Sequence, residues 1–159
     1  MKFILIVFLF CIATINAQQV SDFQLKDLQN KSQNFSDLKG EKITVIDFWA
    51  TWCKPCLHAI PELNKLYAEF KDQGVNFIGI ACDGPRSIAK VAPLAGSLQI
   101  KYSVLLDINA EIKTRLNVMS LPTLLIVNEK GKIIWQHEGY LLGDEVKIRD
   151  KIISILKIN

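Results

Sequence analysis

The chain has 159 residues, of which 50% are hydrophobic, and it carries a formal charge of +3 at neutral pH. This length and apolar content allow one sizeable core without disulfide bonds, so we expect a single compact domain. The 19 basic and 16 acidic residues form no basic run that could neutralise a row of phosphates, which argues against a nucleic-acid partner.

The first 17 residues have the layout of a secretory signal peptide. Lys2 precedes an apolar run over residues 3–13, and a more polar stretch ends at Ala17. The run is shorter than the roughly 20 residues that a membrane-spanning helix needs. We therefore predict export to the periplasm and a mature domain over residues 18–159. Membrane association through an uncleaved signal is the first alternative, and lipid attachment at Cys11 is a weaker one.

The mature chain begins with a predicted hairpin and a buried strand. Residues 23–28 and 32–35 flank the polar turn 29–31, and this hairpin is expected at the edge of the domain. Residues 42–49 (KITVIDFW) are almost continuously apolar and β-branched, as a strand buried on both faces requires. The carboxylate of Asp47 is an anomaly within that strand.

The segment from Lys54 to Asp72 predicts an amphipathic helix, because its apolar side chains repeat with helical spacing and its charged side chains fall on the opposite side. Gly74 is placed to end it as a C-cap residue. Residues 75–81 (VNFIGIA) then predict a second buried strand. Two strands joined by a crossover helix form a right-handed unit with parallel strands.

The rest of the chain predicts an inserted helical segment, a third strand, a hairpin and a closing helix. The segments are a helix over 86–99, a strand over 103–106, a short helix over 109–116, hairpin strands over 123–127 and 132–136, and a helix over 144–156. Pro93 and Gly96 are expected to interrupt the inserted helix. Gly131 can take the positive φ of a hairpin turn. These elements predict an α/β fold with a central mixed sheet flanked by helices.

Cys53 and Cys56 stand where the first buried strand ends and the long helix begins. Free backbone N–H groups and the helix dipole stabilise a thiolate at that position, so Cys53 is the predicted nucleophile. Cys56 lies one turn further along and is the predicted resolving thiol. Lys54 adds a positive charge beside Cys53, and Pro55 fixes φ in the first turn.

The block FWATWCKPC, with SLPT at residues 120–123 before a hairpin, resembles the thioredoxin superfamily. The leading hairpin, the inserted segment and the run LPTLLIVNEKGKI resemble its thiol-disulfide oxidoreductases of the TlpA and ResA type. The resemblance implies a thioredoxin fold, a redox-active Cys53–Cys56 disulfide and a cis peptide at Pro122 beside the dithiol. The substrate-binding residues that it implies are Trp52, Lys54, Pro55, Leu121 and Pro122.

Asp47 marks a departure from the ResA pattern. ResA-type reductases carry a glutamate three residues after the second cysteine, and this chain has Ala59 there. Asp47 instead matches the buried aspartate of thioredoxin. A carboxylate in an apolar strand is costly to bury ionised, and its raised pKa would suit a general base for Cys56. The alternative is a structural carboxylate that water or a backbone N–H satisfies.

The resemblance implies a monomeric reductase of disulfides in extracytoplasmic proteins, as in apocytochrome c maturation, with a membrane thiol as electron donor. It implies no organic cofactor. The oxidase or isomerase direction stays open. A copper-handling protein is a weaker alternative, because such proteins space their cysteines more widely and supply a dedicated histidine. One CxxC pair with two scattered histidines does not supply a structural zinc site, so no metal is expected. A thiol peroxidase is not favoured, because no Thr-x-x-Cys pattern precedes Cys53.

Four further residues have side chains that could contribute to the site. Cys82 follows the second buried strand and could be a third redox thiol, but a free cysteine more often packs as a small hydrophobe. His58, on the polar helix face, and His137, near a strand end, are both predicted to be surface residues. Trp49 is predicted to be a core aromatic.

Overall fold

The computed structural model describes residues 18–158, and the predicted signal peptide over residues 1–17 lies outside them. The strands are β1 (Gln24–Asp27), β2 (Ser32–Asn34), β3 (Ile43–Trp49), β4 (Val75–Ala81), β5 (Ser103–Leu106), β6 (Thr123–Asn128) and β7 (Ile133–Glu138). The helices are α1 (Phe35–Leu38), α2 (Lys54–Phe70), α3 (Val91–Ser97), α4 (Glu111–Arg115) and α5 (Asp144–Ile158). Within this range, none of the helices is long and apolar enough to cross a membrane.

The seven strands form one mixed sheet in the order β2-β1-β5-β4-β3-β6-β7. Strands β3, β4 and β5 run parallel, and the outer strands pair antiparallel. Every residue of β3 is buried, because helices cover both faces of the sheet there. Side chains alternate between the two faces along a strand, so Asp47 and Trp49 share the face on which α2 packs.

Apolar clusters hold the helices on the two faces of the sheet. On one face, α2 and α5 pack through residues such as Leu63 and Ile152. On the other, α1 and α4 pack through Phe35 and Ile112. A fully buried side chain of this size contributes about 1.5–3 kcal/mol, so these contacts fix α2 firmly against the sheet. The position of α2 matters because its first turn carries the dithiol.

Most of the predicted elements are confirmed. The leading hairpin lies at the sheet edge, and β4 and β5 have the predicted bounds. α2 ends at Phe70 and continues as a 3₁₀ turn over Lys71–Gln73, after which Gly74 takes φ 82°. The helix and strand pattern confirms the predicted α/β architecture.

The inserted segment differs from the prediction. In place of a helix over 86–99, a 3₁₀ turn over Ile88–Lys90 leads into α3, which begins only at Val91. Pro93 does not interrupt this helix, because it lies in the first turn, where backbone N–H groups have no intrahelical acceptor. Gly96 lies within the last turn of the same helix.

Candidate active site

Asp83 anchors the loop that carries the dithiol. It is fully buried just after β4, and its carboxylate accepts hydrogen bonds from the Thr51 backbone N–H at 2.8 Å and the Thr51 hydroxyl at 2.5 Å. These bonds fix the backbone two residues before Cys53. This role of Asp83 was not predicted, although an acidic residue that closely follows a buried parallel strand lies at the edge of the sheet where active sites form.

Cys53 and Cys56 are joined as a disulfide, with their Cα atoms 5.3 Å apart. Cys53 is the N-cap residue of α2, and its Sγ accepts a hydrogen bond from the Cys56 backbone N–H at 3.3 Å. After reduction, the same N–H group and the helix dipole can stabilise a Cys53 thiolate. Cys53 keeps 5% of its surface exposed and Cys56 only 1%, so Cys53 is the more accessible cysteine.

Trp52, Lys54 and Pro55 form an exposed rim beside the disulfide. Trp52 is 65% exposed, which is unusual for so large an apolar side chain. Lys54 and Pro55 occupy the first two positions of α2, where the missing N–H of proline has no structural cost. Trp49 is fully buried, as predicted for a core aromatic.

The loop before β6 adjoins the dithiol. The Leu121–Pro122 peptide is cis, and Leu121 packs against the apolar cluster that contains both cysteines. The Pro122 carbonyl accepts a hydrogen bond from the Gly139 N–H at 2.8 Å. This bond ties the loop before β6 to the loop that joins β7 and α5.

Asp47 is buried in β3 below α2. It is 2% exposed, and its Oδ2 has no hydrogen-bond partner among residues 18–158. Burial raises the pKa of Asp47 to about 7, because the ionised carboxylate loses its hydration. A carboxyl group with such a pKa can accept and release a proton near neutral pH, which a general base must do.

Gly79 of β4 leaves room for two aromatic rings beside Asp47. The two residues pair in the parallel register of β3 and β4. A Cβ at Gly79 would lie 3.2 Å from Trp49 Nε1 and 3.2 Å from Tyr102 Cε2, so these two rings occupy the space beside the carboxyl group. Trp49 Nε1 and Tyr102 OH are also buried and unpartnered within the described part of the chain.

A small cavity adjoins Asp47 on its other side. It has about 10 Å³ of space for the centre of a water molecule, which is close to the minimum for one water. The cavity is lined by Asp47, Ala59, Leu63, Pro122, Leu124, His137, Gly139, Tyr140 and Ile148. It therefore lies between the buried carboxyl group, the helix that carries the dithiol and the cis-proline loop.

The prediction that His137 is a surface residue is wrong. Its side chain is only 19% exposed, and Nε2 lies 3.2 Å from Asp144 Oδ2. The ring also stacks on Trp135, with the ring centroids 5.5 Å apart. His137 is enclosed because β7 pairs with β6 and α5 packs back over this part of the sheet. His58, in contrast, is exposed on α2 as predicted.

Cys82 is partly buried beside the second apolar cluster. Burial and the nearby carboxylate of Asp107 raise the pKa of the Cys82 thiol to about 12. A thiol that stays protonated at neutral pH is a poor nucleophile, which favours the packing role over a third redox thiol. Across residues 18–158, no group of three or more His, Cys, Asp or Glu side chains is placed to hold a metal ion.

Residues 17–136 match the family model described as the AhpC/TSA family. The chain is 36% identical over 137 residues to the thioredoxin-like protein YneN of Bacillus subtilis (strain 168), covering 82% of this chain and 75% of that protein. It is 32% identical over 122 residues to the thiol-disulfide oxidoreductase ResA of Bacillus thuringiensis subsp. konkukian (strain 97-27), covering 77% of this chain and 69% of that protein.

A solved structure of similar fold is that of a putative thiol:disulfide interchange protein DsbE from Chlorobium tepidum. It superposes with a TM-score of 0.80 at 24% identity, covering 88% of this chain and 96% of that one. At this identity the similarity shows the thioredoxin fold alone.

Proposed function

Because this chain belongs to the AhpC/TSA family and is a thiol-disulfide oxidoreductase, we propose that it works outside the cytoplasm as a reductase of protein disulfides. The observation that carries the proposal is the Cys53–Cys56 disulfide at the N-terminus of α2, with the carboxyl group of Asp47 buried beneath that helix and its Oδ2 without a hydrogen-bond partner among residues 18–158. This arrangement combines a stabilised thiolate, a second thiol one turn away and a proton acceptor.

In the proposed reaction, the Cys53 thiolate attacks a disulfide sulfur of the substrate, which forms a mixed disulfide and releases one substrate thiolate. The Asp47 carboxylate takes the proton of Cys56, and the Cys56 thiolate attacks Cys53 Sγ. The Cys53–Cys56 disulfide forms and the second substrate thiolate leaves. Two electrons thus pass from the dithiol to the substrate, and a membrane thiol donor then reduces the enzyme again.

Ala59 supports the role of Asp47 in this reaction. It lies three residues after Cys56, near the same face of α2, and it lines the cavity that Asp47 also lines. A residue as small as alanine leaves the space between helix and strand open. In this proposal, the proton of Cys56 passes to Asp47 on the side of α2 that faces the sheet.

The apolar surface around the dithiol suits a protein substrate. Trp52 is exposed on one side, and Met119, before the cis-proline loop, is 78% exposed. Leu141 and Leu142, in the loop between β7 and α5, are 76% and 93% exposed. The hydrogen bond from the Gly139 N–H to the Pro122 carbonyl joins this loop to the one before β6. Exposed apolar side chains near a reactive group favour the docking of a partner protein. We propose that extracytoplasmic proteins with disulfides, apocytochrome c among them, bind here.

Export is testable by fractionation. Expressed in a bacterium with two membranes, the full chain is expected in the periplasm with Gln18 as its first residue, because residues 1–17 have the layout of a cleavable signal. A matched chain that starts at residue 18 should stay in the cytosol. Mass spectrometry of the purified protein gives the N-terminus. Recovery of the full chain only from the cytosol would contradict export.

A further inference from the structure

We propose that Asp83 is a positioning residue for the dithiol, because it holds Thr51 and thereby the turn that presents Cys53. The inference rests on the proposed function only in taking Cys53 as the attacking cysteine. Asp83 lies just beyond β4, and Thr51 lies in the loop between β3 and α2. The two residues are 32 positions apart in the sequence, so their contact joins two segments that meet only in the folded protein.

Both carboxylate oxygens of Asp83 take part in this contact. Oδ2 accepts a hydrogen bond from the Thr51 backbone N–H, and Oδ1 accepts one from the Thr51 hydroxyl. Asp83 is 0% exposed, so bulk water does not compete for these bonds. Among residues 18–158, no basic side chain forms an ion pair with Asp83. A buried carboxylate without a cationic partner depends on its hydrogen-bond donors, so Thr51 is held firmly in place.

The turn that Asp83 holds leads directly into Cys53. The Cys53 backbone N–H donates a hydrogen bond to the Ala50 carbonyl at 3.1 Å, which closes a turn over residues 50–53. Thr51 is the second residue of this turn, and Asp83 binds both its main chain and its side chain. The position of Cys53 therefore depends on a turn whose conformation is fixed from the end of the neighbouring strand.

The turn matters for reactivity because it directs the sulfur of Cys53. Cys53 is the N-cap residue of α2, and its Sγ accepts a hydrogen bond from the Cys56 N–H at 3.3 Å. Pro55, in the same helical turn, has no N–H to offer. A hydrogen bond weakens as its distance and angle depart from the ideal. If the turn relaxed at Thr51, Cys53 Sγ would move away from this donor and the thiolate would lose stabilisation.

The main test is the Thr51→Val protein, because valine has nearly the shape of threonine but no hydroxyl. Asp83 Oδ1 then loses its donor, while the charges of Asp47, Lys54 and Asp83 around Cys53 stay as they are. The rate at which iodoacetamide alkylates Cys53 in the reduced protein, followed by mass spectrometry from about pH 4 to 9, reports the thiolate fraction. We expect the midpoint of this profile to rise by about one pH unit, so that the rate below the midpoint falls about tenfold.

Two matched variants separate positioning from stability. Thr51→Ser keeps the hydroxyl and should keep the wild-type profile. Thr44→Val makes the same substitution at the opposite end of β3, where the buried Thr44 hydroxyl accepts a hydrogen bond from the Gly40 N–H at 3.0 Å. Both valine variants should unfold at lower urea concentration, because each leaves a buried polar group without its partner. Only Thr51→Val should change the alkylation profile.

A double-mutant cycle tests whether the effect passes through Asp83. In the Asp83→Ala protein the Thr51 hydroxyl has lost its acceptor, so adding Thr51→Val should shift the midpoint no further. If Asp83→Ala does not fold, the three threonine variants test the proposal on their own.

Three results would overturn the positioning role of Asp83. They are a wild-type profile for Thr51→Val, an equal shift in Thr44→Val, and a shift by Thr51→Val that is as large in the Asp83→Ala protein as in the wild type. The alkylation measurement uses no disulfide substrate. Its failure therefore leaves the reductase function standing, and that function is tested separately by partner trapping and by the midpoint potential of the Cys53–Cys56 couple.

Discussion

The Cys56→Ser protein is expected to accumulate covalent mixed disulfides with its partners and to lose turnover almost completely. Cys53 keeps its place at the N-terminus of α2 and can still attack, but no thiol one turn away can release the bound partner. Non-reducing gels of cell extracts should show high-mass bands that contain this protein and disappear with a reductant. Mass spectrometry of those bands identifies the physiological substrates.

Two matched variants make the trapping experiment decisive. Cys53→Ser should trap no partner, because it removes the more accessible cysteine. Cys82→Ser should keep wild-type turnover, since the Cys82 thiol stays protonated at neutral pH. Trapping by Cys53→Ser in place of Cys56→Ser would reverse the assignment of nucleophile and resolving thiol.

The Asp47→Asn protein is expected to resolve mixed disulfides about 100-fold more slowly near pH 7, because asparagine cannot take the proton of Cys56. The same change should stabilise the fold at pH 8. Burial raises the pKa of Asp47 to about 7 from 3.8, so ionising it in the native state costs on the order of 4 kcal/mol. Stopped-flow thiol exchange measures the rate, and urea unfolding measures the free energy of unfolding.

The pH dependence of this stability difference has a definite sign. Between about pH 4 and 7 the native state holds a proton on Asp47 that the unfolded state has released, so wild-type stability falls as pH rises through this window. Asp47→Asn lacks this contribution, and the two proteins should be equally stable near pH 4 and differ most near pH 8. A pH-independent stability difference, with unchanged exchange rates from pH 6 to 9, would return Asp47 to a structural role.

The features of the site that the sequence predicted are local ones. β3 could be identified because both of its faces are buried. Such a strand is an almost continuous apolar run, in which Asp47 is conspicuous. The place of Cys53 at a helix start followed from one strand, one loop and one amphipathic helix in succession. The cis peptide before Pro122 followed from the family resemblance, because spacing alone does not distinguish it from an ordinary turn proline.

The features that the sequence did not predict depend on contacts between distant segments. His137 looked like a surface residue because β7 by itself shows no sign that α5 and the cavity enclose one of its faces. The carboxylate of Asp83 holds Thr51 across the ends of two neighbouring strands, a contact that no local pattern around Asp83 predicts. α3 begins later than predicted, because the preceding residues form a 3₁₀ turn that has no clear period in the sequence.

The midpoint potential of the Cys53–Cys56 couple tests the proposed reductase function most directly. The helix N-terminus and Lys54 stabilise the thiolate, which favours the reduced form and moves the potential toward that of an oxidant. Lys54 is exposed, however, and solvent screening should limit its effect to no more than about 30 mV. Equilibration with glutathione or dithiothreitol buffers, followed by the fluorescence of Trp49 and Trp52, gives the potential. We predict a value nearer to the roughly −270 mV of thioredoxin than to the roughly −120 mV of the oxidant DsbA, and a value above about −170 mV would contradict the reductase function.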